Sequence, residues 1–102
     1  FKENCPDIRN TKVIDIVKQL QENSCNVDVY DPWVDTVEVF KTYDLTMTLL
    51  PKKRNYDAVI IAVAHDKFRQ MGEKKLRDFG KGKHILYDLK YTLPAKQVDG
   101  RL

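Results

Sequence analysis

Seven consecutive apolar residues, Ala58-Val59-Ile60-Ile61-Ala62-Val63-Ala64, constrain this chain more than any other feature. The run is apolar on both faces and rich in β-branched residues, as a central parallel strand covered on both sides requires. It has strand length, and no apolar run approaches the ~20 residues that span a bilayer. Ahead of it, Val13, Ile16, Val17 and Leu20 fall at i, i+3, i+4 and i+7, one stripe of an amphipathic helix. Thr11 suits the N-cap of that helix, and Asn23-Ser24 its end. The period then switches to two over residues 26–30, a short strand that Asp31-Pro32 terminates. Residues 33–43 are ambiguous, with Val34, Val37 and Phe40 offering one helical face. Residues 45–50 suit a short extended edge segment. After the apolar run, Phe68, Met71, Leu76 and Phe79 mark the buried face of a further helix. Gly80-Lys81-Gly82 closes it with a left-handed cap, and residues 83–88 form the next strand.

Strands alternating with helices predict an α/β fold: a Rossmann-like three-layer domain with a mostly parallel sheet and helices on both faces. The expected organisation is one domain over residues 1–102, with the strand that should precede Phe1 partly cut away. In open sheets of this kind ligands bind beyond the carboxyl ends of the strands. Three groups fall at such ends: the opening loop, Asp31 and His65-Asp66.

Composition excludes more than it selects. With 18 basic and 15 acidic residues the net charge is +3, a mild bias. The one dense basic run, Lys52-Lys53-Arg54, reads as a solvated turn, since no aromatics interleave with it as a single-strand binder requires. Nucleic-acid and membrane partners are therefore not expected, and the N-terminus has no signal-peptide core. Cys5 and Cys25 form no C-x-x-C and have no histidine at metal-ligand spacing, so both read as free thiols of a reducing cytoplasm.

Three chemistries were weighed on the residues. Asp31 stands where a dinucleotide-binding domain places its ribose-binding acid. The four glycines, at 72, 80, 82 and 100, all lie outside the loop before the first helix, so a pyrophosphate has no close backbone approach there. Asp31 therefore reads as a turn acid. His65-Asp66 can be half of an acid–base dyad, but an Asp at a helix start explains it as well. No G-x-S-x-G elbow is present, and Cys5 lacks a group to activate it. The opening loop, Phe1-Lys2-Glu3-Asn4-Cys5-Pro6-Asp7-Ile8-Arg9, offers Lys2 and Arg9 to an anion ahead of a helix start. A loop held by its own Asp7 ion pairs is the equal alternative.

F-K-E-N-C-P-D-I-R-N-T resembles the F-K-x-[DN]-x-x-D-x-R-x-S/T segment that opens the C-terminal domain of the UDP-glucose/GDP-mannose dehydrogenases. Further segments agree in order. Residues 27–32 resemble the family's V-x-x-Y-D-P, and residues 56–65 its Y-D-A-V-I-x-A-V-x-H. Residues 86–90 resemble L-x-D-x-K, and residues 99–102 D-G-R-L. The wording is nearest to the branch that oxidises UDP-N-acetylhexosamines for bacterial surface polysaccharides.

This resemblance implies an NAD-dependent 6-dehydrogenase, which oxidises the C6 alcohol of a UDP-sugar to a carboxylate with two NAD⁺. It implies that NAD sits on an N-terminal Rossmann domain, and the catalytic cysteine in a central helical region, neither of them in this chain. On that reading no catalytic, cofactor-binding or metal-binding residue falls here, and the fragment alone is inactive. Phe1 and Lys2 are expected to face the UDP-sugar, Lys2 near the pyrophosphate. Lys90 matches a basic position directed at the nucleotide, and Arg9 belongs to the same loop as Lys2 with a binding or structural role. The full-length enzyme is expected to be a cytoplasmic homodimer. Ser24 and Tyr91 stand where many relatives have glycine, which implies some local backbone strain. The alternative is a stand-alone Rossmann-like nucleotide-binding module without catalysis.

Overall fold

The computed structural model describes residues 1–9 and 11–101; Asn10 and Leu102, which the family-like segments include, lie outside the described residues. The chain divides into two compact units, Phe1–Pro51 and Lys52–Leu102.

The first unit holds two helices, α1 (Val13–Glu22) and α2 (Thr36–Tyr43). The N-cap of α1 is Lys12 rather than the expected Thr11, which stands one residue earlier; the Thr11 hydroxyl still accepts the Val13 N–H at 3.1 Å, relieving one of the orphan donors of a helix N-terminus. Of the expected stripe Val17 is buried and Val13, Ile16 and Leu20 are half-buried, while Ile14, outside that stripe, is buried as well. Ser24 follows the helix with φ 65°, and Tyr91 in the second unit has φ 53°. Both positions that resemble family glycines are therefore left-handed, and the implied strain is present. Asp35 caps α2, its Oδ1 accepting the N–H groups of Val37 at 2.9 Å and Glu38 at 3.3 Å. The buried residue of α2 is Val39, whereas Val37 and Phe40 are 59% and 52% exposed. The helical face expected from Val37 and Phe40 is thus the outward one, and the helix packs through Val39 instead.

Two extended expectations for this unit fail. Among the described residues no strand forms over 26–30 or 45–50. Thr48 N–H donates to the Val29 carbonyl at 2.8 Å, which is a rung rather than a ladder. Alternation makes a segment fit for a sheet but does not supply the neighbour that makes it a strand.

The second unit carries the sheet, with β1 (Tyr56–Ile61), α3 (Asp66–Arg77), β2 (Gly80–Asp88), a 3₁₀ turn (Ala95–Gln97) and β3 (Gly100–Arg101). The strand order is β1-β2-β3 and every pairing is parallel. A parallel sheet with a crossover helix is the expected α/β, Rossmann-like arrangement. The middle strand is β2, not β1. Val59 and Ile61 turn toward the core while Ala58 and Ile60 are exposed, so the apolar run buries one face rather than two. The core gathers Ile61, Leu76, Leu86 and Leu93, with Phe68, Met71 and Phe79 of the expected face packed against it.

The glycines punctuate differently from expectation. Gly80 opens β2 rather than capping α3, which ends at Arg77. A Cβ on Gly80 would stand 2.3 Å from the His84 ring, so glycine permits a close approach here. The left-handed glycine is Gly72, inside α3, at φ 75° and ψ 176°. Those angles are nearly exclusive to glycine and break α3 into two helical pieces. Gly72→Ala should lower stability by roughly 1–2 kcal/mol, although a Cβ there meets nothing within 4 Å. A urea titration showing no loss would contradict the backbone origin of that cost.

No helix among the described residues is long and apolar enough to cross a membrane.

Candidate functional site

The opening loop turns at Asn4, φ 52°, and Lys2 and Cys5 form an antiparallel bridge around it. Phe1 is buried and Lys2 is exposed. The loop closes on Asp7. Its Oδ1 accepts the Arg9 backbone N–H at 2.9 Å and Nε–H at 3.0 Å, and its Oδ2 accepts Nη2–H at 2.9 Å. The Lys2 ammonium stands 3.3 Å from the same Oδ2. The Arg9 side chain, then its backbone N–H, and after burial Lys2, hold the Asp7 carboxyl well below the usual carboxylate range. The structure thus brings Lys2 and Arg9 together on one acid, with Arg9 gripping it in a fork and Lys2 as a single contact. The Tyr43 hydroxyl donates to the Ile8 carbonyl and ties the loop to the end of α2.

Lys90 lies in the second unit, two residues beyond the end of β2, and is exposed. Asp88, the last residue of β2, is completely buried. Its Oδ1 accepts the Lys90 N–H at 3.1 Å and its Oδ2 the Leu93 N–H at 2.9 Å. Burial opposes ionisation of Asp88, but the backbone N–H groups of Leu93, Thr92 and Lys90 outweigh it and lower its pKa. The Thr92 hydroxyl assists electrostatically without reaching hydrogen-bond geometry. The next residue, Tyr91, lies under the Arg101 guanidinium, 4.0 Å from the ring centroid. Sequence reasoning assigned no role to Asp88 or Arg101. Their only signal was membership of the L-x-D-x-K and D-G-R-L segments.

The other candidates are engaged in local contacts. Asp31 is buried and its Oδ1 accepts the Trp33 N–H at 2.8 Å, a turn acid around Pro32. His65 is buried at the N-cap of α3, its ring edge-on to Phe68 at 5.3 Å. Asp66 opens the helix and pairs with Arg69 at 3.1 Å. That is the helix-start reading. Cys5 and Cys25 are free thiols. Lys52, Lys53 and Arg54 are exposed in the turn before β1, as a solvated basic run should be.

An open cleft of about 240 Å³ lies at the amino end of β2, lined by Arg54, Arg77, Asp78, Lys81 and His84 among others. Two of its cations are committed, Arg77 to Glu73 and Asp99 and Lys81 to Asp57 at 3.2 Å. It also lies at the opposite end of β2 from Lys90.

Each unit therefore offers an exposed lysine on a loop clamped by an aspartate, Lys2 by Asp7 and Lys90 by Asp88. Residues 1–95 match the model of the UDP-glucose/GDP-mannose dehydrogenase family, UDP binding domain. The chain belongs to this family. Over all 102 residues it is 58% identical to a UDP-N-acetyl-D-glucosamine 6-dehydrogenase of Salmonella typhi and 50% identical to one of Pseudomonas aeruginosa. In each case the match covers 100% of this chain and 24% of the relative. Protein CapL of Staphylococcus aureus is 38% identical over 99 residues, 97% of this chain and 23% of that protein. The UDP binding domain thus spans about a quarter of the length of these relatives. The family resemblance read from the motifs holds, including its leaning toward the N-acetylhexosamine branch.

Proposed function

We propose that this domain forms the nucleotide-binding wall of an NAD-dependent UDP-N-acetylhexosamine 6-dehydrogenase, with UDP-N-acetylglucosamine as substrate, in surface polysaccharide synthesis. The family match over residues 1–95 carries the reading. Lys2 supplies a point charge to the pyrophosphate. Its ion pair with Asp7 is solvent-exposed, and such pairs are worth only about 0–1 kcal/mol. A pyrophosphate with about two negative charges outcompetes it, while Arg9 keeps Asp7 and the loop in place. Phe1, expected to face the sugar nucleotide, is buried, and its role here is to anchor the loop from which Lys2 reaches out. Lys90 supplies a second cation toward the nucleotide.

The chain does not fit NAD. It has no glycine loop ahead of a helix, and the Asp31 carboxylate is spent on Trp33. The dinucleotide belongs on another domain of the full-length enzyme, a cytoplasmic homodimer on this reading. The relatives favour it over a lone binding module, since each is about four times as long as this chain.

One partly buried charge-assisted contact is worth roughly 1.5–3 kcal/mol. In the full-length protein, Lys2→Ala and Lys90→Ala should each raise KM for UDP-N-acetylglucosamine about tenfold or more and leave KM for NAD unchanged. An unchanged KM and rate for the sugar nucleotide in both variants would refute the assignment.

A further inference from the structure

We propose that Asp88 is a positioning residue for Lys90, its buried carboxylate fixing the loop after β2 so that the ammonium is presented to the diphosphate of a uridine nucleotide. The inference rests on Lys90 as a nucleotide contact.

A carboxylate with no exposed surface is costly to desolvate unless its oxygens are satisfied. Here they are satisfied by main-chain donors of the following loop, Lys90 N–H at 3.1 Å and Leu93 N–H at 2.9 Å. The loop is held at its other points too. Leu89 N–H donates to the Ile61 carbonyl of β1 at 2.9 Å, and the Leu93 side chain is buried in the core. Tyr91 takes a left-handed φ of 53° and stacks beneath Arg101, which pairs in register with Asp88. Strain of this kind persists only where the surroundings impose it. Within this unit, no carboxylate among the described residues pairs with the Lys90 ammonium. The clamp uses the Lys90 backbone and leaves its charge available. A lysine on a prefixed loop has less freedom to lose when a ligand binds. Both carboxylate oxygens of Asp88 are thus engaged by main-chain donors of the loop that carries its one cation, Lys90.

The test is a double-mutant cycle in the full-length protein, with UDP as the calorimetric probe. Asp88→Asn keeps the shape but turns an acceptor into an amide facing a main-chain N–H. Asp88→Asn should weaken UDP binding about fivefold, with the loss in KM for the sugar nucleotide rather than in kcat. Lys90→Ala should weaken it about tenfold, and adding Asp88→Asn to Lys90→Ala should change nothing further. If Lys90→Ala has no effect, the nucleotide role of Lys90 falls, and this inference with it. If Lys90→Ala weakens binding but Asp88→Asn is silent or fully additive, Lys90 stands and positioning by Asp88 is overturned. Amide hydrogen exchange of the unmutated protein decides the matter should Asp88→Asn not fold. Protected Lys90 and Leu93 amides without UDP support the clamp, and exchange at the rate of an open peptide overturns it.

Discussion

Replacing Leu86 with alanine should cost about 3 kcal/mol of folding stability, within the range of buried leucine truncations. Leu86 is completely buried in the middle of the middle strand. It sits in one cluster with Ile61 of β1, Leu76 of α3 and Leu93 beyond β2. Its backbone is fixed by Asp99, donating to Oδ2 at 2.8 Å and accepting the Asp99 N–H at 2.8 Å. The strand cannot shift to fill the void, so the cavity term adds to the lost transfer energy. Ile85, the preceding residue, is 54% exposed, and Ile85→Ala should cost under about 1 kcal/mol. Urea titrations that gave the two variants similar losses would contradict the placement of the core.

Arg77→Met should cost clearly less than Leu86→Ala at neutral pH, since its ion pairs are half-exposed and screened by solvent, and that loss should fade in acid. Arg77 ends α3 and ties it to the closing strand. It donates to Glu73 at 2.9 Å, to Asp99 Oδ2 at 2.9 Å and Oδ1 at 3.2 Å, and to the Gln97 carbonyl at 2.9 Å. It also meets His84 Nε2 at 3.2 Å, while His84 Nδ1 faces the Lys81 carbonyl at 2.6 Å. Nδ1 therefore carries the proton and Nε2 accepts from Arg77. The Arg77 guanidinium, followed by the Leu86 N–H, lowers the Asp99 carboxyl from 3.8 to about 2. A depressed carboxyl stabilises the fold fully above its unfolded value and loses that contribution as pH falls through the folded one. The Asp99 part of the gap between the unmutated chain and Arg77→Met should thus be lost as pH falls from about 4 toward 2. Denaturation midpoints measured across that window check it. A gap that stayed constant into acid would assign the effect to the packing of the Arg77 stem instead.

Much of the fold was legible where one local rule decides. The stripe from Val13 to Leu20 located α1, with its start one residue after the expected Thr11, because helix period is a property of neighbours in the chain. The apolar run and residues 83–88 gave β1 and most of β2 for the same reason. Failures came where a partner distant in sequence decides. Residues 26–30 alternate well but lack a ladder. In α2 the packing neighbours select Val39, not the Val37–Phe40 face that the pattern offers. Gly80 serves the His84 ring, and Gly72 breaks a helix that composition alone leaves continuous. At the candidate site, Lys2 and Lys90 were named from the family-like segments. The acids that organise them are harder to see. Asp7 was visible as a local counter-charge, but Asp88 works through main-chain donors whose direction only the folded loop fixes. The Arg77–Asp99 pair joins residues 22 positions apart.

The most direct test of the account is a crystal structure of the full-length protein with UDP bound. The account predicts the Lys2 and Lys90 ammonium groups within about 3.2 Å of ligand oxygens, Arg9 still gripping Asp7, and the Asp88 loop unchanged. UDP bound elsewhere, with both lysines in solvent, would contradict it.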